Sequence, residues 1–173
     1  MPLTTRKPRS ISRKEIRAVL DYLQTLLSEP IAFFDQAIFR VLAVLDELGI
    51  PYHDFGTYSH ESVDYPVYGA RAAHAVANGM CDRGIVMCGT GVGISMAAGK
   101  VHGIRCVCCT DTYSAKMSRL HNNANMLSLG ARVVGTELAK DIVRIWLMTE
   151  FEGERHARRV GQIDKLDRGE LLE

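Results

Sequence analysis

The octet Cys88-Gly-Thr-Gly-Val-Gly-Ile-Ser95 sets a thiol directly ahead of three alternating glycines, Gly89, Gly91 and Gly93. The apolar run Gly84 to Cys88 reads as a short buried strand, and Val92 to about Lys100 as the helix that follows. A thiol at that junction stands where open parallel sheets bind ligands. Glycines let the backbone come close to an anion, and a helix start offers unpaired N–H groups. The same donors favour thiolate over thiol, which makes Cys88 a base or a nucleophile. A base there suits an acidic C–H, such as the carbon beside a sugar carbonyl, with the loop amides holding the enediolate oxygen. A core cysteine before a tight strand-to-helix turn fits the same residues equally well. A dinucleotide fingerprint fits poorly, because it needs a later third glycine and an acid about 20 residues on. Here the acid is Asp111, beyond a second strand.

Other residues have chemistry available but are ambiguous alone. Arg155 and Arg159 are four apart, on one helical face, where they form either a forked phosphate grip or a solvated basic surface. His121 closes a helical pattern and suits the negative end of the helix dipole, with Asn122 and Asn123 as a helix stop. Five cysteines, an odd number without an export signal, predict free thiols. Cys106, Cys108 and Cys109 alternate along an apolar run, which sends neighbours to opposite faces of a strand and not around one ion. No paired Cys-x-x-Cys or His-x-x-x-His spacing supports a zinc site, and neither a metal nor a cofactor is expected.

The elements that position these residues follow from periodicity. A capping box at Ser12 and apolar residues at helical spacing predict a helix over about Ser12 to Leu27. Asp35 is expected to cap a second helix, with a stripe of Ile38, Val41, Leu42 and Leu45 and a stop at Gly49. Pro51 to Thr57 reads as a strand. Helices are then predicted at Val67–Ala77, after the octet to Lys100, at Tyr113–His121 and at Thr136–Phe151. Strands Gly84–Cys88, Ile104–Cys109 and Met126–Gly130 alternate with them. Such alternation predicts an α/β fold, a three-layer Rossmann-like parallel sheet with helices on both faces and an atypical helical N-terminus. A charged helix from Glu154 to about Leu172 ends the chain. A helical extension is expected over residues 1–30 and the main domain over 31–173.

The chain has 173 residues, 47% hydrophobic and 24% charged, with a formal net charge of +1. That balance suits one domain and gives no reason for a nucleic-acid or membrane partner. No apolar run reaches the roughly 20 residues a bilayer needs, and the basic start lacks a signal-like apolar core, so a cytoplasmic protein is expected.

The octet resembles the signature of the ribose-5-phosphate isomerase B and galactose-6-phosphate isomerase family. Further matches follow in family order: Asp54-Phe-Gly-Thr57, Asp64-Tyr-Pro66, Gly103-Ile-Arg105, His121-Asn122, Asn125, Gly130 to Gly135, and Phe151-Glu-Gly-Glu-Arg-His156. The resemblance implies an aldose–ketose isomerase for a small phosphorylated sugar. It makes Cys88 the base between C1 and C2, Thr90 the hydroxyl assisting proton exchange on the sugar oxygens, and His121 the ring-opening residue. It makes Asn122 a substrate ligand, Arg155, Arg159 and Arg132 the phosphate ligands, and Tyr65 a pocket wall. It also implies a homodimer or dimer of dimers with shared active sites, in which the arginines serve the neighbour's Cys88. The family's first strand ends in an Asp-His pair that contacts substrate. Here the corresponding segment, Pro30 to Phe39, has Asp35 but no histidine beside it.

Overall fold

The computed structural model describes residues 33–57 and 62–172. The helix expected at Ser12–Leu27, and with it the extension over residues 1–30, lies outside them. Helix α1 is Phe33–Glu47, α2 Tyr65–Ala77, α3 Val92–Ala98, α4 Thr112–Asn122, α5 Thr136–Met148 and α6 Glu154–Asp167; the strands are β1 Gly84–Cys88, β2 Cys106–Cys108 and β3 Met126–Gly130. All pairs are parallel, in the order β1-β3-β2, with Gly84 opposite Met126 and Cys88 opposite Gly130.

The central strand β3 is buried along its whole length, so it reads as an apolar run without polar alternation. Side chains of successive residues leave the sheet on opposite sides. Val86, Cys88, Cys106 and Met126 pack with Ala73 of α2 and Ile94 and Ala98 of α3. Ile85, Met87, Val107, Leu127 and Leu129 pack with Val41 and Val44 of α1 and Ile142, Val143 and Trp146 of α5. The sheet therefore has a helical layer on each face, as the β-α alternation predicts. The cysteines divide as the strand period requires: Cys106 joins the first layer and Cys109 the second. Burial pushes the Cys106 thiol up to about 12 and the Cys109 thiol up to about 11, because an apolar interior penalises thiolate.

Two expectations fail. The helix begins at Phe33, two residues before Asp35, so Asp35 lies in its first turn and does not cap it. Pro51–Thr57 joins no ladder. There the Gly56 N–H donates to Asp54 Oδ1 at 2.8 Å, a local side-chain bond that bends the chain in competition with strand pairing. Among the described residues the sheet has three strands.

Several contacts fix the end of the sheet from which the strands start. Asn125 accepts the Gly84 N–H on its backbone oxygen at 2.9 Å and the Arg105 N–H on Oδ1 at 2.8 Å. Arg119 of α4 is buried over Trp146, 5.7 Å from the ring centre. It donates to Ala124 O at 2.6 Å and Thr149 O at 3.3 Å, tying the end of α4 to the end of α5. Helix α6 is held at its far end by Arg105–Asp164 at 2.9 Å and His102–Asp167 at 2.9 Å.

Candidate active site

Cys88 is the last residue of β1, half-buried, with the Gly91 N–H donating to its Sγ at 3.2 Å. The turn that aims this amide needs Gly91, whose φ of 80° lies in the left-handed region that side-chain-bearing residues avoid. A Cβ there would also lie 2.8 Å from Cys108 Sγ and 2.9 Å from the backbone of Leu129. Ser128 of the central strand donates to Gly91 O at 2.6 Å, so sheet and loop are one rigid unit. Cys108 lies against the same loop, its Sγ 3.7 Å from Thr90 O. Thr90 is exposed, with its Oγ1 accepting from the Val92 N–H at 3.4 Å.

Two more residues close this end. The Tyr65 ring lies over Gly93, where a Cβ would sit 2.5 Å from its hydroxyl. The Arg132 guanidinium lies beside Gly89, where a Cβ would meet its Nη1 at 3.6 Å, and the Arg132 backbone N–H donates to Gly89 O at 3.0 Å. Tyr65, Cys88, Gly89, Thr90, Gly91, Gly93 and Arg132 thus form one group at the carboxyl end of the sheet. Asp111 is engaged elsewhere, capping α4 by accepting the Ser114 N–H at 2.7 Å. The acid that a dinucleotide fold would present to a ribose is a helix cap here.

The remaining candidates do not join that group. His121 and Asn122 end α4, and Asn123 stops it in the left-handed conformation, as its sequence position predicts. They lie beside Asn125 at the amino end of the sheet, as do Arg155 and Arg159, exposed on the first turns of α6. The Glu152 N–H donates to Leu120 O at 3.0 Å, fixing α6 to α4. Strand β1 alone spans four steps from Gly84 to Cys88, about 13 Å, and the two groups lie at its opposite ends.

Two residues without a sequence assignment complete the second group. The His156 ring stacks on that of His121, with centres 4.1 Å apart and planes 6° apart. Glu152 Oε2 lies 3.4 Å from His156 Nε2 and 3.8 Å from His121 Nε2. Burial, with help from the neighbouring His121 and arginines, holds His156 below the usual imidazole range. The four-residue spacing from Glu152 to His156, straddling Arg155, was the available signal. His121, Glu152 and His156 bring three ligand-type atoms within 4.8 Å. Parallel stacked rings do not aim both lone pairs at one ion, however, and the Arg155 Nε–H already donates to His156 Nε2 at 3.3 Å. The geometry does not fit a metal.

A thiol under a backbone donor at a sheet's carboxyl end, beside a glycine loop and an arginine, defines an α/β enzyme for a small anionic substrate. Comparison with known proteins specifies the class. The sequence pattern of the family Ribose/Galactose Isomerase matches residues 34–163. Ribose-5-phosphate isomerase B of Escherichia coli is 52% identical over 128 residues, 74% of this chain and 86% of that protein. D-erythrulose-4-phosphate isomerase of Pectobacterium atrosepticum is 50% identical over 103 residues, 60% of this chain and 68% of that one. The structure of ribose-5-phosphate isomerase B from Clostridium thermocellum superposes with a TM-score of 0.73 at 52% identity, covering 78% of this chain and 93% of that one. The chain belongs to the ribose/galactose isomerase family and is a sugar-phosphate isomerase. Among the described residues, no helix is long and apolar enough to cross a membrane.

Proposed function

We propose that the chain interconverts an aldose phosphate and its ketose, of the ribose 5-phosphate and ribulose 5-phosphate type, through a cis-enediolate with Cys88 as base. The observation that carries this reading is the Gly91 N–H on Cys88 Sγ at 3.2 Å, in a loop whose shape only glycine sustains. The Cys88 thiolate takes the C2 proton of the open-chain aldose. The C–H electron pair becomes the C1–C2 double bond, and the carbonyl pair moves to O1. Return of the proton to C1, with transfer of the O2 proton to O1 assisted by Thr90, leaves the ketose. His121 opens the furanose beforehand, Asn122 orients the sugar, Tyr65 walls the pocket, and Arg155, Arg159 and Arg132 hold the phosphate.

The placement of the two groups at opposite ends of the sheet supports a site shared between two copies of the chain, the His121 group of one facing the Cys88 group of the other. A catalytically weak, sugar-phosphate-binding subunit is the alternative. It is favoured by the absence of a histidine beside Asp35, which lies in helix α1 and not at a strand end.

Turnover of ribose 5-phosphate in D2O distinguishes them. Deuterium is expected at C1 of the ribulose 5-phosphate formed, because a proton on sulfur exchanges with solvent. Cys88→Ala is expected to abolish both turnover and incorporation while binding changes less than about tenfold. Wild-type protein that binds the sugar phosphate without turnover supports the alternative. Turnover that survives Cys88→Ala removes the thiol from the mechanism.

A further inference from the structure

Of the two stacked histidines in the second group, His156 has no role so far. His156 is 4% exposed, fixed in the first turn of α6, whereas the His121 side chain is 35% exposed. One ring is anchored by the interior and the other reaches solvent. A surface imidazole alone turns about its last side-chain torsion, which is broad and shallow. With centres 4.1 Å apart and planes 6° apart, the buried ring covers one face of the exposed one and sets its plane.

The chemistry around His156 suits a platform better than a proton carrier. Its Nε2 accepts from the Arg155 Nε–H at 3.3 Å, so that lone pair is occupied while the ring is neutral. Its flat face is left to the His121 ring. The Glu152 carboxylate, 3.8 Å from His121 Nε2, adds a negative charge on the same side.

We infer that His156, backed by Glu152, is a positioning residue that holds the His121 imidazole in the plane needed to open the sugar ring. This rests on the reading of His121 as the ring-opening residue. It implies that loss of His156 slows reactions that begin from a closed ring and spares those that begin from an open chain. Ribulose 5-phosphate is such an open chain, since the hydroxyl that would close a five-membered ring on its C2 carbonyl is esterified. Exchange of its C1 proton with solvent therefore reports the Cys88 step without ring opening.

The test compares ribose 5-phosphate turnover with solvent exchange at C1 of ribulose 5-phosphate in four proteins: wild type, His121→Ala, His156→Ala and His156→Phe. In His156→Ala the ratio of turnover to exchange is expected to fall about tenfold, because orientation is lost but not the acid-base group itself. His156→Phe keeps a flat ring and is expected to recover the ratio to within about threefold of wild type. If His156→Ala does not fold, Glu152→Gln replaces it, with an expected fall in the same ratio. Equal losses in turnover and exchange, or failure of phenylalanine to restore the ratio, would overturn the inference while His121→Ala still lowers it. If His121→Ala leaves the ratio unchanged, His121 does not open the ring, and its reading and this inference fall together.

Discussion

The two ends of the sheet are built by different means. At the carboxyl end the backbone makes the site: a glycine at φ 80° aims an amide at a sulfur, and the central strand grips the loop through Ser128. At the amino end side chains make it. His121, Glu152, His156, Arg155 and Arg159 project from the end of α4, the start of α6 and the loop before it, which the bond from the Glu152 amide to Leu120 O holds together. A site made by backbone tolerates almost no added atoms. One made by long polar side chains loses affinity in steps as they are removed.

Gly91→Ala is the harshest way to break that contrast. Its Cβ would meet Leu129 backbone at 2.9 Å, so the loop must move and take the amide off the sulfur. Activity is expected to drop about a hundredfold or more, the scale of a 1 Å misplacement at a reacting group, while circular dichroism still reports a folded α/β protein. Near-normal kcat would show that the loop does not depend on this conformation. Arg155→Ala and Arg159→Ala come next, each expected to raise KM for the sugar phosphate about tenfold with a smaller change in kcat, as lost charge-assisted hydrogen bonds do. A fall in kcat at unchanged KM would place these arginines in the chemical step. The smallest effect is expected from Asp164→Asn, which weakens the partly exposed pair with Arg105. It should cost about 0.5 kcal/mol of stability by denaturant titration and change KM less than about twofold. A larger rise in KM would mean that the far end of α6 helps to set its arginines.

Much of the carboxyl end was legible in the sequence. The octet is local, and its strand, glycines and short helix are contiguous, so periodicity and backbone rules place Cys88 without tertiary information. The alternation of Cys106, Cys108 and Cys109 across two faces was readable for the same reason. The amino end was not. His121 and His156 are 35 positions apart in the chain, and only the folding of α4 against α6 stacks their rings, so neither residue betrays the other. Asp35 was misplaced because a carboxylate is equally at home at an N-cap and inside a first turn. Pro51–Thr57 has strand-forming residues, yet a strand also needs a neighbour, and the Asp54 side chain bends the segment instead. Nor did the sequence show that its own candidate residues fall into two groups at opposite ends of one sheet. That follows from strand direction and register alone.

The claim that two copies complete each active site is tested most directly by mixing two inactive chains. Cys88→Ala keeps the His121 and arginine group, and the double variant Arg155→Ala, Arg159→Ala keeps the Cys88 group. After the two are unfolded together and refolded at equal amounts, half of the dimers are mixed, and each of these holds one whole site out of two. Activity is expected to return to about a quarter of that of wild-type protein treated in the same way. Mixed dimers identified by native mass spectrometry that stay as inactive as either parent would contradict the shared site.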